Sequence, residues 1–453
     1  MNFKPYLVKE KENIVKQLSR LVQIESVIDT PTKDAPFGYQ NAKALEEALK
    51  IATEFDLTTK NLDYYCGYAE IGSGSQIVGV ITHLDVVPAG EGWKVAPFQV
   101  TSLDGKLYGR GTSDDKGAVI ASLIAMKILK ESNYPLKRRI RCILGCNEET
   151  SSLGIQHYLK QEGNITVGFT PDGDFPGTNG EKGYILSQIS AKTQLKQISG
   201  GTAPNAVSDF CRVVFESTHF DDHLFFEYIQ DAGLSATVVQ QNGDWIIEVQ
   251  GVSAHASEPE LGKNAISYLL VGLSLAGLRD PFLDFYKDNI NVDFYGSQLG
   301  LDCTDAYGKL TLNVGTIEQV ENQVKLLLDI RVPVTQKIEK IKKLLESKGT
   351  KEVKIEVLKQ TASLYYPENT KFVQQLFTAY QEVTKDTLSS LVITGGGTYA
   401  KYFHNCIAFG CKFPNVDNHI HQANEYVTLE ELQLQIEIYL KAMITLANEY
   451  VDQ

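Results

Sequence analysis

The sequence predicts an α/β fold with a largely parallel sheet, interrupted by an inserted α+β domain. Three observations predict it. Residues 1–181 and 361–453 alternate helix-period and strand-period apolar runs, the texture of helices packed on a parallel sheet. Residues 182–360 carry strand after strand with only two longer helical patterns. No internal repeat, low-complexity tract or Pro/Gly/Ser linker cuts the 453 residues into domains in series. The expected organisation is one discontinuous domain, 1–181 with 361–453, around a second domain of 182–360.

Taken in order, apolar spacing predicts helices over 6–21 and 41–55, and a β-branched strand over 76–82 that ends in His83. A helix over 117–130, a strand over 139–144, a helix over 154–160 and a strand over 165–169 complete the first alternation. Strands follow over 184–189, 237–249 and 310–314, with helices over 221–232 and 263–276. The second of these helices is apolar on nearly every face and is therefore expected to be buried. The α/β texture returns with a helix over 369–383, a strand over 391–394, a glycine triplet, a strand over 407–409 and a last helix over 429–448.

Composition excludes several function classes. A formal charge of −13 gives no basic footprint for nucleic acid or an anionic membrane. The longest apolar runs, 118–129 and 268–278, fall short of the ~20 residues of a membrane span. Segment 1–18 has lysines but no apolar core of a secretory signal. Seven scattered cysteines with no C-x-x-C pair fit reduced, buried thiols in a cytoplasmic protein.

The chemistry-bearing residues sit just after predicted strands, where open sheets place ligands. His83 and Asp85 flank Leu84 and point to one face of an extended chain, an arrangement in which a carboxylate orients a metal-ligating imidazole. Alone, the tripeptide fits an ordinary surface pair. Asp114 and Asp115 open the 117–130 helix; one suffices for a cap, which leaves the other for a cation. Glu148 and Glu149 end the next strand, and Asp172 follows the one after. Paired glutamates suit a division between metal ligand and proton carrier, although two solvated glutamates at a turn fit the local pattern too. A C-terminal group from Asp417 to Glu425 adds His419 and His421. Two histidines with several carboxylates and no cysteine suit two Zn²⁺, Mn²⁺ or Co²⁺ ions. Ions about 3.5–4 Å apart generate hydroxide from water and polarise a carbonyl.

The stretches THLDVVPAGEGW, LYGRGTSDDKGA, NEETSS, PDGDFP, GVSAHASEPELGKNA, LDIRVP, TGGGTYAKY and HQANEY run in order from residue 82 to 426. In them the chain resembles the dinuclear metallopeptidase family of carnosinase, carboxypeptidase G and aminoacylase, and most of all its bacterial PepV-type dipeptidase branch. Ala118 departs from the branch, which usually has Pro there. The resemblance implies His83 on one metal, Asp114 bridging both, Glu149 and Asp172 each on one, and His421 on the other. It makes Asp115 a supporting residue, Asp85 the orienter of His83 and Glu148 the general base, and leaves His419 a solvent-exposed neighbour.

The inserted domain would then be a ferredoxin-like lid, enlarged in this branch, with His255 stabilising the oxyanion. Arg331 and Asn205 would hold the substrate's carboxylate end or carbonyl, a task the guanidinium fork suits. Gly395, Gly396 and Gly397 would join them by offering N–H groups at a helix start; a tight turn that merely needs glycine explains the triplet equally well. The implied function is hydrolysis of dipeptides with a free N-terminus by a hydroxide bridging two metals, in a monomer whose partners are small peptides. An aminoacylase-type deacylase and a catalytically silent peptide-binding relative are the rival readings.

Overall fold

In the computed structural model residues 3–450 are described, and the chain divides into two compact units. Residues 1–2, at the start of the segment read for a signal, and 451–453, at the end of the expected discontinuous domain, lie outside the described residues.

The first unit comprises Met1–Gly180, Tyr366–Ile393 and Gly397–Gln453. Its main sheet runs in the order Thr58–Leu62, Cys66–Ile71, Arg139–Gly145, Ile77–His83, Val167–Thr170, Cys406–Ala408, Thr178–Glu181. The sheet is mixed, which corrects the expectation of a largely parallel one. Its four central strands are parallel, and antiparallel strands flank them on both sides. The flanking pair Thr58–Leu62 and Cys66–Ile71 is a hairpin, turned by Asp63 and Tyr64 at φ 55° and 59°. Every residue of Ile77–His83 is buried, as expected of a strand covered on both faces.

Helices Lys116–Glu131 and Leu429–Glu449 pack on each other and on this strand. The first is buried on almost all sides; the second starts at a Thr428/Glu431 capping box. The helix expected over 6–21 is two, Lys4–Lys9 and Lys11–Val22, because Glu10 closes the first turn onto Leu7. Gly117 is required where the acidic loop enters its helix: a Cβ there would lie 2.1 Å from the Thr112 carbonyl oxygen.

The second unit, Glu181–Tyr365 with Thr394–Gly396, has its own apolar core and an eight-stranded antiparallel sheet. Buried and half-buried residues alternate along Gly183–Lys192, so one face of the sheet looks into the core. The strand expected over 237–249 is a hairpin, Ser235–Gln241 and Asp244–Gln250. Asn242 and Gly243 both adopt positive φ in its turn, the two-residue geometry that Asn-Gly favours. Helix Ala265–Leu275 is nearly all buried, with Asn264 as its cap. Among the described residues no helix is long and apolar enough to cross a membrane.

Candidate metal centre and substrate-binding residues

In the first unit six predicted residues come together: His83, Glu148, Glu149 and Asp172 at or just after the ends of parallel strands, Asp114 in the loop before helix Lys116–Glu131, and His421 in the loop before strand Tyr426–Thr428. His83 closes its strand with Nε2 2.9 Å from Asp114 Oδ1 and 3.9 Å from Asp172 Oδ2. Its Nδ1 lies 2.9 Å from the Asp85 carbonyl oxygen. A carbonyl only accepts, so Nδ1 carries a proton and the Nε2 lone pair can serve an ion. The other oxygen of Asp114 lies 2.9 Å from His421 Nε2, and Glu149 Oε1 lies 3.1 Å from the same nitrogen. One carboxylate therefore spans two imidazoles. Glu148 belongs to a second close group with His83 and Asp172.

Asp85 orients His83 chiefly through its backbone; its carboxylate is 3.5 Å from Nδ1. That carboxylate accepts the N–H groups of Glu148 and Glu149 at 3.0 Å each, so it fixes the glutamate pair. Asp115 is at the first position before the helix but makes no cap there; it accepts His83 N–H at 3.1 Å. His419 is about half exposed, with its nearest acidic oxygen on Asp417.

Electrostatics fit cations. Burial, then the charge of Asp172, pushes Glu148 well above the usual carboxylate range. Burial and Asp114 raise Glu149 and bring Asp172 up to about 7. Burial would lower His421, but its bonds to Asp114 and Glu149 outweigh that and push it up to about 11. The ligand atoms of His83, Asp114 and Glu149 lie within 4.8 Å of one another, as do those of His83, Glu148 and Asp172. Crowded, desolvated carboxylates with only imidazoles for compensation are a hard-to-borderline donor set short of positive charge. Divalent ions would supply that charge.

In the second unit His255 is exposed, and its Nδ1 accepts from the Ser257 hydroxyl and N–H at 2.7 and 3.2 Å. The ring proton is thus on Nε2. Asn205, also exposed, accepts Ala256 N–H through its carbonyl. Gly395 lies against the same loop: a Cβ there would be 2.4 Å from Ser257 Cβ. Arg331 Nη1 donates to the Gly395 carbonyl at 2.9 Å.

Two expectations change here. The Arg331 fork is not open: Nε and Nη2 grip the fully buried Asp329 at 2.6 and 2.7 Å. Of five N–H groups, two are left for a ligand. The glycine triplet does not start a substantial helix, since Tyr399–Tyr402 is a single 3-10 turn, and Gly396 N–H already bonds Thr394 Oγ1 at 3.1 Å. What demands glycine at 395 is the close approach of Ser257.

Sequence reasoning assigned no role to Arg110 or Glu425, which form a fully buried ion pair of 2.7 Å. Both lie inside the quoted motifs, and a charged residue in a glycine-rich or apolar setting was the available signal.

Comparison with known proteins gives a concordant picture. The profile of Peptidase family M20/M25/M40 matches residues 79–445. "Putative dipeptidase YtjP" of Bacillus subtilis (strain 168) is 34% identical over 466 aligned positions, covering 99% of this chain and all of that protein. "Putative dipeptidase SH1171" of Staphylococcus haemolyticus (strain JCSC1435) is 33% identical, covering 98% and 99%. The crystal structure of human carnosine dipeptidase 1 aligns with a TM-score of 0.61 at 16% identity over 98% of each chain, a likeness of fold.

Proposed function

The chain belongs to Peptidase family M20/M25/M40, and from that premise we propose a metal-dependent dipeptidase that hydrolyses short peptides with a free N-terminus. The observation that carries the reading is the Asp114 carboxylate, with one oxygen at His83 and the other at His421. His83 and Asp172 would hold one ion, His421 and Glu149 the other, and Asp114 both. Zn²⁺, Mn²⁺ and Co²⁺ all suit these donors. When bound, such ions polarise a carbonyl and make water a nucleophile at neutral pH.

The protein's own groups do the rest. Glu148, held by Asp85, takes a proton from the attacking water and passes it to the leaving amine nitrogen. To the second unit we assign substrate contacts. His255 Nε2–H donates to the carbonyl oxygen as it gains charge. Asn205, the two remaining N–H groups of Arg331 and the backbone N–H groups of Gly395 and Gly397 receive the carbonyl or carboxylate end. A single chain acting as a monomer in the cytoplasm completes the reading; the scattered cysteines, with no C-x-x-C pair, support that compartment.

Chelation should abolish dipeptide hydrolysis, and re-added Zn²⁺ or Mn²⁺ should restore it with near two ions per chain by mass spectrometry. Activity that survives complete metal removal would overturn the reading. Turnover of N-acyl amino acids with no turnover of dipeptides would move it to the deacylase class.

Arg331→Ala should raise KM more than it lowers kcat and reduce discrimination against C-terminally amidated dipeptides. It also strands Asp329 without its partner, at about 3–5 kcal/mol. Arg331→Lys, which keeps a charge for Asp329, separates the two effects. Equal use of free and amidated substrates by the unaltered enzyme would remove the carboxylate contact.

A further inference from the structure

We propose that Glu425, with Arg110 as its buried counter-ion, is the positioning residue that holds Asp114 against His421 and so sets the affinity of the His421–Glu149 half of the metal centre. This rests on the two-ion reading above.

Both side chains are no more than 1% exposed. Burying two charges costs several kcal/mol per ion, and apolar residues of the same size often serve a fold as well or better. The pair therefore needs a reason beyond packing, and its bonds supply one. Glu425 Oε1 accepts two successive backbone N–H groups, Ser113 at 2.9 Å and Asp114 at 3.1 Å. Its other oxygen takes Arg110 Nη1 at 2.7 Å. Arg110 is anchored in turn, since its Nη2 donates to the Pro88 and Ala89 carbonyls at 3.3 and 3.2 Å. One carboxylate thus fixes the peptide planes on both sides of the Ser113 Cα, and with them the direction in which the Asp114 side chain leaves the backbone.

Glu425 also stands on the loop that carries His421. That loop is closed at its base by two bonds of 3.1 Å between Asn418 and Tyr426, and the Glu425 carbonyl takes Gly109 N–H at 3.0 Å. The residue that aims Asp114 is therefore the one that ties the His421 loop to the acidic loop.

The two halves of the cluster are not equally supported. His83 ends a buried strand, with Asp85 on its Nδ1 and Asp115 on its N–H. His421 is on a loop, its side chain 51% exposed, and its ring meets Asp114 and Glu149. Loosening Asp114 should cost the second half more.

The test titrates Co²⁺ into metal-free full-length enzyme, following visible absorption and bound metal by mass spectrometry, for wild type, Glu425→Gln and the double variant Arg110→Met/Glu425→Leu. Gln has one acceptor oxygen, so the amides and Arg110 compete for it. The double variant removes the buried charges altogether and guards against misfolding, with melting of the metal-free protein as the control. In both variants the first Co²⁺ should bind as in wild type and the second about 10–100-fold more weakly. Excess Co²⁺ should then restore kcat with KM unchanged. Two ions bound at wild-type affinity, or both weakened equally, would overturn the inference and leave the proposed function standing. A wild type that binds fewer than two Co²⁺ defeats the function and the inference together.

Discussion

Glu148→Gln is expected to lower kcat for dipeptides by about 10²–10⁴ while metal content and KM stay close to wild type. The expectation follows from where the side chain sits. Its backbone is fixed by the Asp85 carboxylate at 3.0 Å, and it is grouped with His83 and Asp172, beside the ligand atoms without being one of the groups that join the two imidazoles. Burial and the Asp172 charge hold its pKa well above the ordinary value. Gln keeps the shape and the backbone bond but cannot accept and release a proton. Glu149→Gln is the contrast: Glu149 Oε1 is 3.1 Å from His421, and its loss should appear first as loss of metal. Turnover unchanged in Glu148→Gln would remove the proton-transfer role.

His83, Glu148, Glu149 and Asp172 were legible in sequence because they stand at or just after strand ends, and apolar β-branched runs mark those strands clearly. What was illegible is long-range or weakly signalled. The Thr58–Leu62 hairpin escaped because its positive-φ turn is made by Asp63 and Tyr64, where no glycine announces it. The Asn242–Gly243 turn did announce itself, but the continuous β-branched run around it reads as one strand. Arg110 and Glu425 pair across 315 positions of chain, a contact no local pattern encodes. The engagement of Arg331 was within reach: Asp329 precedes it by two residues, and on a strand residues i and i+2 share a face. Weighing that neighbour would have shown that the guanidinium serves a buried carboxylate before it serves a ligand.

Asp114→Ala should be the more damaging change, with hydrolysis falling by more than the ~10²–10⁴ of a lost proton-transfer group and neither ion retained tightly. Among the described residues its carboxylate is the one group that contacts both imidazoles, at 2.9 Å each, so none of its neighbours can take over the span. The hydrogen bonds of His421 and His83 overcome burial and hold its pKa below the normal carboxylate range, which keeps it charged and ready to ligate. The adjacent Asp115 makes the informative control. Burial pushes its pKa far up, and its bond in the cluster is to the His83 N–H. Asn matches Asp in shape and keeps that acceptor. Asp115→Asn should therefore retain two ions and hydrolysis. Two tightly bound ions in Asp114→Ala, or loss of metal confined to Asp115→Asn, would reverse the roles of the two aspartates and with them the geometry on which the peptidase reading depends.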